Sequence, residues 1–275
     1  VSVAPEVLEF ASDDPFAARA LASLFHSASA TAAEPTLRYL LRRSADGYTA
    51  TGPGKPPFGP AGLGEAWSFL EWRATEDLLS SAGGDVFLHA AGISLRSGMV
   101  LLVGESGSGK STLAAHLLAR GHTAWGDDLV RFAPASGLFS GVPRSFKLDY
   151  NSLSSLPLVE SKCAQGAVGT LLAPSWTYVS PAAIRRSWEA PSGRPSAVVL
   201  LQSPVRGQPP LVERVSEGVA AIRVSEALIG LRGGDIETRG RLTVAVIESL
   251  SEVVAYRARG GEPLALALAL ERELG

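Results

Sequence analysis

The 275-residue chain has one cysteine, Cys163, and one methionine, Met99. A single thiol can form neither an internal disulfide nor a cysteine-based zinc cluster, and such usage suits a reducing compartment. Cys163 itself reads as a small buried hydrophobe. No apolar run approaches the roughly 18 residues that cross a bilayer, and the start lacks the basic and apolar regions of a secretion signal. The expectation is a soluble, cytoplasmic protein with no membrane partner. Charge of either sign is also scarce: 25 Lys and Arg against 27 Asp and Glu leave a net charge of −2, with the basic residues scattered. That balance offers no sequence-wide attraction for phosphate backbones, so nucleic acid is not expected as a partner. No internal repeat and no low-complexity tract interrupts a composition that is 46% hydrophobic, enough for a substantial core.

What the sequence does have is concentrated at residues 99–111, MVLLVGESGSGKS. An aliphatic run leads into Gly104, four further residues, then Gly109, Lys110 and Ser111, the spacing G-x-x-x-x-G-K-[ST] of a phosphate-binding loop. Gly104, Gly107 and Gly109 lack a Cβ, so the backbone can turn its N–H groups of Glu105, Ser106, Ser108 and their neighbours around a phosphate. Lys110 can reach β- and γ-phosphates, and the Ser111 hydroxyl can take a place on Mg²⁺. Residues 111–120 read as a helix stopped by Gly121, so the anion, beside Ser111 and Thr112, would sit at a helix N-terminus. A chance glycine-rich turn is the alternative, and a strand before and a helix after argue against it.

Along the chain, residues 15–25 and 36–43 read as two helices, the second with Leu37, Leu40 and Leu41 on one face. Residues 51–64, rich in Pro and Gly, read as a loop, and 65–79 as a helix in which Trp67 and Trp72 serve packing. A boundary near residue 80 divides a small N-terminal α+β portion, 1–80, from a nucleotide-binding domain, 81–275. Residues 86–95 and 99–103 read as two strands, with His89 in the first, where a structural histidine and a site residue are both open readings. Asp127 and Asp128 follow a strand that returns to the phosphate-binding edge; there one carboxylate can hold Mg²⁺ and the other accept a proton. Arg144 and Lys147 are offered to a transferring phosphoryl group, to an acidic substrate or to solvent. Residues 189–195 and 203–210 read as loops, 197–201 as a buried strand, 224–231 and 242–254 as helices, and the end as a strand and a closing helix from Glu262.

The segment GESGSGKSTLAAHLLARGHTAWGDDLV, with LHAAGISL before it, resembles the HPr kinase/phosphorylase family over residues 86–130. The resemblance implies an α/β fold, a P-loop nucleotide-binding domain of the HPr-kinase/PEP-carboxykinase-like type. It implies a kinase using ATP and Mg²⁺, with Asp127 as general base, His89 beside it, Lys110 and Ser111 on nucleotide and metal, and Asp128 aiding the metal or the base. The family's second signature, expected soon after the aspartates, is absent there, and the front part differs from the family's regulatory domain. The chain is more similar to stand-alone relatives associated with ribosomally made peptides, including lasso peptides. The acceptor implied is a serine hydroxyl of a peptide or protein; a small hydroxyl compound, or a regulator that binds ATP without transfer, are the rival readings, and a homo-oligomer stays open.

Overall fold

The computed structural model describes residues 2–3, 6–24, 34–81, 84–142, 144–166, 169–185, 192–203, 207–229 and 235–275. Up to residue 83 the elements are β1 (Ser2–Val3), β2 (Glu6–Ser12), α1 (Pro15–Leu24), β3 (Leu37–Ser44), β4 (Gly47–Thr51), β5 (Phe58–Ala61) and α2 (Leu63–Ser80). There follow β6 (Val86–Leu88), β7 (Ala90–Leu95), β8 (Gly98–Val103), α3 (Lys110–Ala119), β9 (Thr123–Gly126), β10 (Val130–Ala133) and β11 (Leu138–Gly141). A third stretch holds β12 (Phe146–Leu148), α4 (Tyr150–Ser154), α5 (Pro157–Ala164), β13 (Thr170–Leu172), β14 (Thr177–Val179) and α6 (Pro181–Ile184). The chain ends with β15 (Ser192–Gly193), β16 (Pro195–Leu201), β17 (Leu211–Val215), α7 (Glu217–Glu226), β18 (Leu228–Ile229), α8 (Ile236–Ser249), β19 (Val254–Arg259) and α9 (Pro263–Leu274). The architecture is mixed α/β with several sheets. No helix among the described residues is long and apolar enough to cross a membrane.

Two compact units result, Val1–Gly83 with Pro143–Ala183 and Gly84–Val142 with Ile184–Gly275. In the first, five strands lie in the order β1-β2-β3-β4-β5, and β12-β14-β13 form a small second sheet. The helix expected at 36–43 is instead the strand β3. Tyr39 and Leu41 are fully buried while Arg38 and Arg42 are exposed, so a two-residue period governs, and the leucines that also fit a helical stripe were misleading. The expected loop at 51–64 contains β5. Helix α2 buries Ala66, Trp67, Leu70 and Ala74 in one cluster with Leu8, Leu21, Tyr39 and Leu41, and the buried Leu78 continues the spacing of that helical face. Trp67 is a packing residue as expected, whereas Trp72 is half-exposed.

The second unit has a six-stranded sheet in the order β17-β19-β16-β8-β7-β9 and a five-stranded sheet in the order β15-β11-β10-β6-β18. Strands β8, β16 and β19 run parallel at the centre of the first. Val100 to Val103 and Ala197 to Leu201 are all buried, the continuous apolar run of a strand covered on both faces. The single strand expected at 86–95 breaks at His89: β6 pairs with β10 in one sheet, and β7 pairs with β8 in the other. The helix expected at 224–231 lies earlier, as α7, and gives way to β18; of the remainder, residues 230–231 lie outside the described residues. The same holds for 189–191 and 204–206 in the two expected loops, while Ser192 and Gly193 of the first form β15.

Candidate functional site

Four chain segments leave the six-stranded sheet at one edge. Leu200 of β16 lies beside Val103 of β8 in parallel register, so both strands end together, one at Gly104 and the other at Gln202. Ala90 opens β7 opposite Val103 in antiparallel register, which sets His89 at that same edge. Gly126 ends β9 opposite Gly92, and Asp127 and Asp128 follow at once. The sheet thus assembles residues as far apart in the chain as His89 and Gln202 from hydrogen-bond register alone.

Gly107 and Gly109 have φ of +79° and +91°, in open space, so the backbone conformation itself requires glycine there. Gly104 does not have a positive φ, and its need for glycine is one of space. A Cβ on it would lie 2.5 Å from the Leu201 carbonyl oxygen and 2.7 Å from Ser108 Oγ, so close approach to β16 excludes a side chain. Gly109 caps α3 in the left-handed conformation and supplies no capping side chain, so the helix N-terminus that begins at Lys110 is of the kind that can receive an anion. Ser108 Oγ is buried with no hydrogen-bond partner among the described residues, while Glu105, Ser106 and Gly107 are exposed.

Lys110 is 5% exposed, and its Nζ donates to the carbonyl oxygens of Gly104 at 2.8 Å and Glu105 at 3.0 Å. Burial holds its ammonium below the ordinary range, and Asp128 and Asp127 act against that shift. Both carboxylates are therefore within electrostatic reach of Nζ. Asp127 is buried, at 3% exposed. Asp128 has φ +64°, the single non-glycine residue with positive φ among the described ones, and its Oδ1 contacts His89 Nε2. His89 is anchored from the main chain, its N–H donating to the Ala227 carbonyl at 2.7 Å.

Ser111, Asp127 and Asp128 supply hard oxygen donors at one edge. Among the described residues no group of three or more His, Cys, Asp or Glu forms a metal cage of its own. A donor set of one hydroxyl and one or two carboxylates fits Mg²⁺, which keeps several waters and takes its remaining oxygens from phosphates.

Arg144 and Lys147 belong to the first unit, where both engage the buried Glu71. Lys147 Nζ lies 2.7 Å from Glu71 Oε2, and Arg144 Nη2 contacts Oε1. Burial works to raise the Glu71 carboxyl, yet Arg144 and Lys147 overcome it and hold the group below its usual range. Cys163 is only partly buried, and burial pushes its thiol up, away from thiolate chemistry.

Sequence reasoning passed over Gly92. A Cβ there would meet the Trp125 ring at 2.4 Å, so the fully buried indole lies flat on β7 and fixes the end of β9, two residues before Asp127. A lone glycine inside a strand was the available signal. It also passed over Arg223 on α7 and Arg257 on β19, which line a cavity beside Gly104.

No protein-family model matches the chain, and no curated protein matches it. Among solved structures it is similar to one described as the Hpr(Ser) kinase/phosphatase from Coxiella burnetii. The identity is 14%, the match covers 68% of this chain and 89% of that chain, and the TM-score is 0.33. A likeness that distant leaves the functional reading to the residues themselves.

Proposed function

We propose that the second unit is a P-loop kinase of the HPr-kinase-like type that transfers the γ-phosphoryl group of ATP to a serine hydroxyl of a peptide or protein. The observation that supports it best is the meeting of the 104–111 loop, Asp127, Asp128 and His89 at one sheet edge. In this reading the loop N–H groups and the α3 N-terminus hold the phosphates, and Lys110 leaves the Gly104 and Glu105 carbonyls for the β- and γ-phosphates. Ser111 and Asp128 would hold Mg²⁺, which supplies charge neutralisation on the phosphate oxygens. The acceptor oxygen bonds to the γ-phosphorus, the bond to the β–γ bridging oxygen breaks with its electron pair leaving on ADP, and the hydroxyl proton passes to Asp127. His89 orients Asp128 as a positioning residue. Most of the rate enhancement would come from placement and fixed charge in a water-poor cradle.

The test is incubation with γ-labelled ATP and Mg²⁺ over a panel of serine-bearing peptides, including a precursor peptide encoded beside the gene. Label on serine, lost in Lys110→Ala, is the expected result. Tight ATP binding with no label on any peptide or small hydroxyl compound would leave the non-catalytic regulator as the account.

A further inference from the structure

Beside the loop lies a cavity of about 430 Å³, within the size range of small-ligand sites. Its walls come from the start of the loop at Gly104 and Glu105, from His89, from Leu201 at the end of β16, and from Arg223 and Arg257. Which end of a bound nucleotide it would face follows from Lys110. The lysine of such loops serves the β- and γ-phosphates, and its Nζ rests on the carbonyls of Gly104 and Glu105. These two residues also line the cavity. The cavity therefore opens at the γ end, where an acceptor enters, and the nucleoside belongs at the opposite end of the phosphate chain.

The charges in its wall narrow the acceptor further. Arg223 Nη1 donates to Glu226 at 2.8 Å and Arg257 Nη1 donates to Glu213 at 3.2 Å. The side chains of both pairs are a third or more exposed, so these bonds are weak and exchangeable. Each guanidinium also retains donors beyond its Nη1 bond, in the planar fork that matches a carboxylate. Glu105 and Glu226 also line the cavity and offset part of the arginines' charge, which suits a singly charged carboxylate. Nothing in the proposed kinase reading uses either arginine.

We infer that this cavity is the acceptor subsite, and that it selects a hydroxyl compound carrying a carboxylate within one residue's reach of the hydroxyl, gripped by Arg223 and Arg257. The inference rests on the phosphoryl-transfer reading for the word acceptor, and on the cavity alone for the carboxylate. A free hydroxy amino acid and a serine beside an acidic residue in a peptide present the same chemistry.

Calorimetric titration with Mg²⁺ and a non-hydrolysable ATP analogue present tests it. The probes are free L-serine, the blocked peptide Ala-Ser-Asp-Ala and its Ala-Ser-Asn-Ala counterpart, against wild type, Arg223→Gln and Arg257→Gln. The expected result is binding of L-serine or the Asp peptide, about tenfold or more weaker binding of the Asn peptide, and a similar loss in each arginine variant, the share of a charged hydrogen bond. Affinity for the ATP analogue stays unchanged. Binding of L-serine alone identifies a small hydroxy acid, and of the Asp peptide alone a peptide source. Equal binding of the Asp and Asn peptides, unaltered binding in both variants, or no binding of any probe overturns the inference. Carboxylate-dependent binding without label transfer from γ-labelled ATP overturns the kinase reading and leaves the carboxylate site standing.

Discussion

His89 Nε2 contacts Asp128 Oδ1, and each residue stands where the chain leaves one sheet of the second unit for the other. His89 separates β6 from β7, and Asp128 lies between β9 and β10. The pair couples the two crossings at the edge that carries the loop. Both side chains are about a third exposed, so the contact contributes little to stability, below about 1 kcal/mol. Two residues acting as one unit give non-additive losses. The double variant His89→Ala/Asp128→Asn is expected to transfer phosphate no more slowly than the worse single variant, measured by initial rate at saturating ATP. Asn is the appropriate replacement at 128 because it tolerates the left-handed backbone there.

Lys110 carries a stability penalty that comes from its burial. Burial lowers its folded pKa below the unfolded one, so the penalty is full at neutral pH and fades as pH rises from the folded value towards the unfolded one, about 10.4. Nucleotide-free wild type should gain stability relative to Lys110→Met over that alkaline interval, in urea titrations at stepped pH. At neutral pH Lys110→Met should bind ATP at least about tenfold more weakly.

Glu271 joins α9 to the end of α3. Its carboxylate accepts from Arg120 Nε at 2.8 Å and Nη2 at 2.7 Å, and its Oε1 lies 2.8 Å from His122 Nε2. The Arg120 bond, chief among the causes, holds the carboxyl below its usual range. A depressed carboxyl stabilises the fold above its unfolded pKa, about 4.3, and loses that contribution as pH falls through the folded value. Glu271→Gln should cost about 1–2 kcal/mol at neutral pH and nothing once wild type is itself protonated. Thermal melts of both proteins across acid pH measure the convergence.

Gly92 and Trp125 form a fitted pair in the core. Gly92→Ala forces its Cβ into the buried indole and should destabilise by about 1–3 kcal/mol. A smaller ring should relieve the clash, so Gly92→Ala/Trp125→Phe should recover part of the loss in chemical denaturation. The Gly92→Ala variant should also transfer phosphate more slowly, because Trp125 sets the approach to Asp127.

What the sequence made legible was local. The 104–111 loop, its strand and helix, and the adjacent aspartates each fit within a few tens of residues and carry their own spacing. The β3 strand was misread because Leu37, Leu40 and Leu41 satisfy a helical face, while the burial of Tyr39 and Leu41 depends on the neighbouring strands. His89 was ambiguous for a similar reason: the break between β6 and β7 is set by two different sheets, not by the residues VFLHAAGISL. The cavity was out of reach because Glu105, Leu201, Arg223 and Arg257 come from four distant stretches. The grouping of residues 143–183 with the N-terminal stretch likewise depends on contacts between distant parts of the chain, such as Tyr178 OH donating to Ser68 Oγ and Ser145 Oγ donating to the Leu24 carbonyl.

The central claim is transfer of phosphate that depends on Asp127 as proton acceptor. Its most direct test is a single turnover with γ-labelled ATP, Mg²⁺ and a serine peptide, comparing wild type with Asp127→Asn while ATP affinity is measured in parallel. The account predicts phosphoserine in the wild-type reaction and a loss of at least about a hundredfold in the variant, with ATP still bound. Phosphoserine formed at the wild-type rate by Asp127→Asn would contradict it.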